Sequence, residues 1–167
     1  MIFETHAHYD DDRFSTDLEE TLTSAFQTGV GRIINVGASI ASTQKTLQLA
    51  RSHEEIYAAV GVHPSEIADL NEESFAWLKE QTTYEKTVAI GEIGLDYYWD
   101  KEEDVQKKQR TWFLRQLELA KECHLPVIIH SRDAAEDTLS IMKDAHAAEI
   151  PGDIHCPSHS PETAMEY

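Results

Sequence analysis

Positively charged residues are scarce in this chain of 167 residues. Lys and Arg number 14 against 31 Asp and Glu, which gives a net charge of −17 with histidine neutral. A field of this sign opposes non-specific docking on nucleic acid or on an anionic membrane. A phosphate ligand therefore requires local positive charge, from a few arginines or from a bound metal ion. The charge balance disfavours a protein that binds nucleic acid through a broad basic groove.

Cysteines and long apolar runs are scarce as well. The two cysteines, Cys123 and Cys156, form no CxxC pair, which indicates free thiols in a reducing compartment. No apolar run approaches the length of a membrane span, and the first residues lack the basic-then-apolar pattern of a signal peptide. We therefore expect a cytoplasmic protein with no membrane partner.

The length suits one domain but falls short of the roughly 250 residues of a complete (β/α)₈ barrel. No linker, low-complexity segment or composition break divides the sequence, so we expect a single domain over residues 1–167. Ser160–Tyr167 has the pattern of the first turns of a helix.

Short β-branched runs alternate with amphipathic helical stretches, the signature of βα units around a parallel sheet. We expect six such units. The predicted strands are Ile2–His6, Arg32–Gly37, Tyr57–His63, Val88–Glu92, Val127–His130 and Asp153–His155. Helices are predicted from Ser15 or Thr16 to Gln27, from Ser42 to Ala50, from Asn71 through Leu78, from Asp104 to His124, and from Asp133 or Glu136 to His146.

The candidate functional residues follow the predicted strands. His6 and His8 form an HxH pair at the carboxyl end of the first strand, and the four residues that end later strands are His63, Glu92, His130 and His155. In parallel α/β barrels such ends converge on one mouth. Imidazoles together with a carboxylate bind divalent metals. A lone histidine is more often a hydrogen-bonding group, but the whole set favours a metal site with Glu92 as a bridging ligand.

Other polar residues fit simpler interpretations. Asp10, Asp11 and Asp12 are expected in a solvated loop, and the four histidines His53, His124, His146 and His159 at the surface. Trp77 and Trp112 fit helix packing rather than a base-stacking platform. Arg132 suits either a substrate phosphate, in fork geometry, or an ordinary salt bridge.

Five blocks carry a family resemblance. They are Glu4-Thr5-His6-Ala7-His8, Gly61-Val62-His63-Pro64, Gly91-Glu92-Ile93-Gly94-Leu95-Asp96-Tyr97-Tyr98, Pro126 to Ala134 with His130-Ser131-Arg132-Asp133, and Ile154-His155-Cys156. In this order they resemble the TatD family of metal-dependent deoxyribonucleases. The third block is the most specific of the five, and the match runs along the whole chain.

The resemblance implies a TIM-barrel hydrolase, of which about the first six βα units are present, with two divalent ions and DNA as substrate. His6 and His8 would bind the first ion, Glu92 would bridge both ions as the central catalytic residue, and His130 and His155 would bind the second. His63, Arg132 and Asp96 would lie on the substrate side. The metal is left open between zinc, which suits histidine ligands, and magnesium or manganese, which suit phosphoryl transfer.

The sequence departs from the family pattern at three places. It lacks the Thr-Asp-x-Pro block that supplies a final aspartate ligand, Glu4 replaces an aspartate, and Pro157 follows Cys156 in place of an aromatic residue. A shortened barrel predicts weak metal binding, impaired DNA hydrolysis, and self-association through open sheet edges. Two alternatives stay open: a hydrolase of another ester or amide on the same site, or an inactive remnant.

Overall fold

A computed structural model describes residues 1–155 and residue 162. The expectations for Cys156, His159 and a helix over Ser160–Tyr167 lie outside the described residues. The strands are β1 Ile2–Ala7, β2 Val30–Val36, β3 Ile56–Val60, β4 Thr87–Asp96, β5 Val127–Arg132 and β6 Gly152–His155. The α-helices are α1 Leu18–Gln27, α2 Ile40–Ser52, α3 Glu72–Gln81, α4 Glu103–Cys123 and α5 Ala135–Asp144.

The six strands form one parallel sheet in the order β1-β2-β3-β4-β5-β6. Although β1 and β6 are at opposite ends of this order, the rings of His6 and His155 stack with centroids 3.6 Å apart. The sheet is therefore curled strongly enough to bring the carboxyl ends of its first and last strands together. This half-barrel with its helices confirms the predicted fold class.

Local sequence signals explain where several helices begin and end. The Ser39 side chain accepts a hydrogen bond from the Ser42 backbone at the start of α2, and Asn71 forms a capping box with Ser74 at the start of α3. These bonds satisfy backbone donors that have no partner within the helix. At the end of α4, His124 adopts a left-handed conformation with φ of 56°. The start at Asn71 agrees with the sequence prediction, whereas α2 begins two residues earlier than predicted.

The main core lies between the sheet and the helices. Leu22 of α1, Leu47 of α2 and Leu78 of α3 are almost completely buried against strand residues such as Ile33 and Ile90. A smaller cluster, inside the curl, consists of Val36, Ala59, Ala89 and Ile128. Ala89 and Ile128 of this cluster also line a cavity of about 640 Å³, whose lining includes Phe3, Ile34 and Tyr57.

Strand β4 is longer than predicted and ends at Asp96 rather than at Glu92. Its pairing with β5 is interrupted between Ile90 and Ile93 and then continues. The continuation depends on Gly94, whose φ is +139° and where a Cβ would lie 2.0 Å from the His130 carbonyl oxygen. The prediction that Glu92 closes the strand was therefore wrong: Glu92 lies within an irregularity of the strand, and Asp96 closes it.

Two neighbouring strand ends also differ from the prediction. Strand β3 ends at Val60, and His63 instead caps a short 3₁₀ helix over Pro64–Asp69 through a hydrogen bond from the Ser65 backbone. Strand β5 continues two residues beyond His130, to Arg132. Among the described residues, no helix is long and apolar enough to cross a membrane.

A substitution at Phe113 tests how much the packing of α4 against the sheet contributes to the free energy of unfolding. The Phe113 side chain is 1% exposed and belongs to the main core. We expect Phe113→Ala to lower the free energy of unfolding by about 3–5 kcal/mol, because it removes buried apolar surface and leaves a cavity. Urea denaturation followed by circular dichroism measures this loss. Phe113→Leu is the matched control and should lose much less, whereas equal losses in both variants would contradict the packing described.

Candidate metal centre

Glu92 is the centre of the polar cluster at the carboxyl end of the sheet. The residue is 5% exposed, yet its Oε2 lies 3.3 Å from His6 Nε2 and 3.8 Å from His8 Nε2. The two histidine Nε2 atoms are 3.1 Å apart. Three potential ligand atoms, from β1, the residue following it and β4, therefore converge on one point.

A backbone contact orients the ring of His8. Its Nδ1 lies 2.9 Å from the Val36 carbonyl oxygen, which can only accept a hydrogen bond, so Nδ1 carries the proton. The neutral ring then presents an unprotonated Nε2 toward His6 and Glu92. Metal-binding histidines commonly have this arrangement, with one nitrogen fixed by a carbonyl and the other free to bind.

The second oxygen of Glu92 faces a different histidine. Oε1 lies 3.0 Å from His130 Nδ1, and the other ring nitrogen of His130 lies 3.1 Å from Asp96 Oδ2. Asp96 is 2% exposed, and its Oδ1 accepts hydrogen bonds from the backbone nitrogens of Tyr98 and Trp99. Both Asp96 oxygens therefore have protein partners. This position suits a residue that orients His130, and the substrate-side role expected for Asp96 stays a prediction.

His63 lies beside His130 and Glu92, but its hydrogen bonding differs from that of His130. Its ring is 4.3 Å from that of His130, centroid to centroid, and together with Glu92 the two histidines form a second set of close potential ligands. The Ser65 backbone N–H donates to His63 Nδ1, so Nδ1 is unprotonated. In the neutral ring the proton is on Nε2, which makes this nitrogen a hydrogen-bond donor.

His155 contacts the group of His6, His8 and Glu92 through the face of its ring rather than through a ring nitrogen. It stacks on His6, with the planes 18° apart. Among the described residues it belongs to neither of the two sets in which three potential ligand atoms lie within 4.8 Å of one another. The assignment of His155 and the other sequence-derived ligands to particular ions stays a prediction.

Charge interactions stabilise the ionised carboxylate. Burial opposes ionisation of Glu92, but hydrogen bonds from His130 and His6 outweigh it and hold the pKa of this carboxyl well below its usual value. Burial also disfavours the charged form of His130, but the hydrogen bond to Glu92 prevails and raises the pKa of His130. For His63, burial and the nearby His130 lower the pKa to about 4. Burial and the neighbouring His6 lower the pKa of His155.

The donor set fits a divalent cation. Ligand atoms bound about 2.1 Å from one tetrahedral ion are about 3.4 Å apart, close to the 3.1–3.8 Å separations of the His6, His8 and Glu92 atoms. Imidazole nitrogens with a carboxylate are ligands that zinc and similar metals bind. His6 Nδ1 is buried with no hydrogen-bond partner among the described residues. A buried nitrogen without a partner lowers the stability of the fold. Such a cost is expected at a position where a histidine is needed to bind a ligand.

Comparison with known proteins agrees with this chemistry. The sequence model of the family described as TatD related DNase matches residues 3–167. The chain belongs to the TatD family. The family resemblance read from the five sequence blocks is thereby confirmed.

Individual TatD-family proteins are similar along nearly the whole chain. The "Uncharacterized metal-dependent hydrolase YabD" of Bacillus subtilis is 44% identical over 99% of this chain and 64% of its own length. The "3'-5' ssDNA/RNA exonuclease TatD" of Cronobacter sakazakii is 31% identical, with 99% of this chain and 62% of that protein covered. The chain thus spans about 64% of the length of the YabD relative.

A solved structure shows the same backbone. The crystal structure of YjjV, a TatD homologue from Escherichia coli K12, aligns with a TM-score of 0.89 at 33% identity. The alignment covers 99% of this chain and 63% of that structure. The curled sheet is therefore a TatD-family half-barrel.

Two buried glutamines support this TatD-family site. On α4, Gln109 bonds to the backbone nitrogen and oxygen of Asp96, and Gln116 bonds in the same way to Val62. They thereby fix the end of β4 and the segment that follows β3. Sequence reasoning missed both, although their spacing from Phe113 places them on the apolar stripe of α4. A polar residue in such a stripe was the available signal.

The loop after β1 also differs from its predicted solvated state. Asp10 is half-buried, and its two oxygens accept hydrogen bonds from Asn35 and from Ser42 at 2.8 and 2.5 Å. Asp11 and Asp12 form ion pairs with Arg13 and Lys45. The loop is held because buried Asn35, which the sequence analysis did not single out, needs polar partners. The loop after β1 forms one wall of a cleft of about 630 Å³, which is also lined by His8 and Glu92.

The hydrogen bond to His63 yields a spectroscopic prediction. In the metal-free protein, nitrogen NMR of the histidine rings should show His63 as the Nε2–H tautomer, with a pKa of about 4. Because this value is below the unfolded pKa of about 6.5, the neutral ring supports the fold above pH 6.5, and this support is lost as the pH falls toward 4.

His63→Gln would assign the signal by its disappearance. An Nδ1–H tautomer, or titration near the unperturbed value, would contradict the hydrogen bonding described for this ring.

Proposed function

We propose that this chain belongs to a metal-dependent phosphodiesterase that hydrolyses DNA at the cluster around Glu92. One observation carries the proposal: the two oxygens of Glu92 face different histidine groups, Oε2 toward His6 and His8 and Oε1 toward His130. A carboxylate that presents its oxygens to separate imidazole sets suits a bridge between two cations. Sites with two metals recur in enzymes that cleave phosphodiesters.

The proposed ligands divide between the two cations. His6 and His8 would hold one, His130 and His155 the other, and Glu92 would contact both. When bound, the cations supply positive charge that stabilises the phosphoryl oxygens and lowers the pKa of a water molecule. Histidine donors favour zinc, whereas phosphoryl transfer favours magnesium or manganese, so both classes belong in the test.

The protein's own groups orient the ligands and the substrate. Asp96 accepts a hydrogen bond from His130 Nε2 and so turns His130 Nδ1 toward Glu92. His63, neutral and protonated on Nε2, is suited to donate a hydrogen bond to a phosphate or leaving-group oxygen. Arg132, which forms no ion pair within the described part of the chain, is suited to a substrate phosphate.

The choice of DNA rests on the family and on one relative. The family description names a DNase, and a protein 31% identical carries the name of a 3'-5' ssDNA/RNA exonuclease. The positive charge of bound cations would offset the repulsion between a polyanion and a chain with a net charge of −17.

Metal binding tests the proposal directly. We expect titration calorimetry with Zn²⁺ and with Mn²⁺ to show binding that Glu92→Gln weakens at least tenfold, because the variant removes the shared anionic ligand while keeping its shape. Asp96→Asn should weaken binding by roughly 10- to 100-fold through misorientation of His130. Hydrolysis of a labelled oligonucleotide should fall in both variants.

Glu66→Gln provides the matched control, since Glu66 is an exposed acid that lines the same cleft and should bind metal as the parent does. Equal binding by the parent and Glu92→Gln would overturn the proposal. Metal-dependent cleavage of a carboxylic ester or amide without cleavage of DNA would favour the other hydrolase class. A folded parent that binds no metal would indicate an inactive remnant.

We also propose that residues 1–167 form one domain and that the chain self-associates through its sheet edges. Strand β1 pairs only with β2 and β6 only with β5 among the described residues, and Ile2 and Phe3 of β1 are exposed at 57% and 52%. Unpaired edges with apolar side chains favour association. We propose a cytoplasmic location as well, because the sequence features described above favour it and Cys123 is a free thiol.

Sedimentation velocity tests the association. The parent should sediment as a dimer or larger species, and Ile2→Lys combined with Phe3→Lys should shift it toward monomer, because charged edge residues disfavour strand pairing. Trp99→Ser, which changes an exposed apolar residue elsewhere, should leave the distribution unchanged. A monomeric parent at all concentrations would contradict the proposal.

A further inference from the structure

The loop that follows β4 exposes two adjacent aromatic side chains. Tyr98 and Trp99 are 44% and 68% exposed, and the other exposed large apolar residues among those described are at the start of β1. Their rings meet in a T-shaped contact with centroids 4.6 Å apart. In such a contact the edge of one ring meets the face of the other, so the faces of the edge-on ring are not covered by the pair itself.

Hydrogen bonds hold this aromatic pair in a defined position. The Asp96 carboxylate accepts bonds from the backbone nitrogens of Tyr98 and Trp99 at 3.0 and 3.3 Å. On the other side of the pair, buried Gln109 donates to Asp100 Oδ2 at 2.7 Å. Lys101 Nζ donates to the Tyr97 carbonyl oxygen at 2.7 Å. The exposure of the two rings is therefore built into an ordered loop.

Cationic groups accompany the rings. The Arg132 guanidinium lies 3.9 Å from the Tyr98 ring centroid and 5.6 Å from that of Trp99, and Lys101 Nζ lies 5.6 Å from Tyr98. Arg13 and Lys45, on the wall of the cleft, are paired with Asp11 and Asp12. Arg132 has no carboxylate partner within residues 1–155. Its charge is thus available to an anionic ligand.

The aromatic pair is also adjacent to the candidate metal centre. The Asp96 carboxylate that anchors the Tyr98 and Trp99 backbone has its other oxygen 3.1 Å from His130, and His130 contacts Glu92. The backbone that carries the two rings is therefore joined to His130 through a single carboxylate. A nucleotide has this combination, a flat base joined to a phosphate.

We propose that Tyr98, Trp99 and Arg132 form a subsite that stacks one base of a single-stranded nucleic acid and holds its phosphate beside the Glu92 cluster. Aromatic stacking together with arginine is a recurring way to bind single strands without sequence preference. In a duplex the base faces are already covered by neighbouring bases, so the subsite selects unpaired ends. The proposal deepens the proposed phosphodiesterase function, on which its role in catalysis rests, but base binding itself requires no hydrolysis.

Binding of a short oligonucleotide tests the subsite. The probes are fluorescently labelled oligothymidine and an abasic strand of the same length, titrated with protein in EDTA and followed by fluorescence anisotropy. The parent should bind oligothymidine more tightly than the abasic strand. Trp99→Ala should weaken oligothymidine binding by roughly 5- to 150-fold, the range that the loss of one stacked base implies, and should remove the preference over the abasic strand.

Trp99→Phe retains a ring face and should recover most of the affinity, while Arg132→Gln should weaken binding of both strands through the phosphate. Lys108→Gln, which removes an exposed cation on α4 away from the rings, is the matched control for Arg132→Gln and should bind as the parent does. All variants should keep the parent's melting temperature, which would show that the loss of binding does not result from a loss of fold.

Several results would overturn the subsite: no binding by the parent, equal affinity for base-bearing and abasic strands, or unchanged affinity in Trp99→Ala. Base-dependent binding without metal binding or hydrolysis would instead overturn the proposed function and leave the subsite standing. Metal-dependent hydrolysis with no effect of Trp99→Ala on affinity would overturn the subsite and leave the proposed function standing.

Discussion

The contact of one buried carboxylate with histidines from both sides of a curled sheet organises the rest of this structure. Glu92 on β4 reaches His6 of β1 and His130 of β5. In a flat sheet β1 would be three strands away from β4. The contact therefore requires the sheet to be curved.

The same carboxylate explains the pattern of polar burial around it. A buried charge is costly unless hydrogen bonds and opposite charges compensate it, and the partners of Glu92 need partners of their own. Asp96 contacts the far nitrogen of His130, and Gln109 on α4 contacts the Asp96 backbone. The site is thus the innermost part of a hydrogen-bonded network that extends from the inner face of the sheet to the outer helices. Such support keeps ligand atoms near one geometry, which metal binding requires.

Electrostatics connects this centre to the rest of the molecule. With a net charge of −17, the protein surface as a whole repels polyanions, so the proposed recognition of a phosphodiester would depend on a few local features. The TatD-family half-barrel provides these at the carboxyl ends of its strands: imidazoles that can hold cations, a neutral donor in His63, and Arg132 stacked on Tyr98. The exposed aromatic pair, in the proposed subsite, would add an attraction that does not depend on charge.

The sequence by itself determined the fold class and most of the residues in the cluster. Alternating strand and helix patterns predict parallel βα units, and parallel strands place their carboxyl ends on one edge. That reasoning is enough to expect His6, His8, Glu92 and His130 near one another. It depends only on local periodicity and on a general rule of topology, which a single sequence contains.

Only the tertiary structure decided how these groups meet. The irregularity between Ile90 and Ile93, with Gly94 against the His130 carbonyl, moved the end of β4 to Asp96 and placed that residue beneath His130. The curl stacked His155 on His6, and α4 brought Gln109 to the strand end. Each of these results from contacts between residues far apart in the chain. Such contacts depend on sheet curvature and on hydrogen-bond partners that local sequence patterns do not specify.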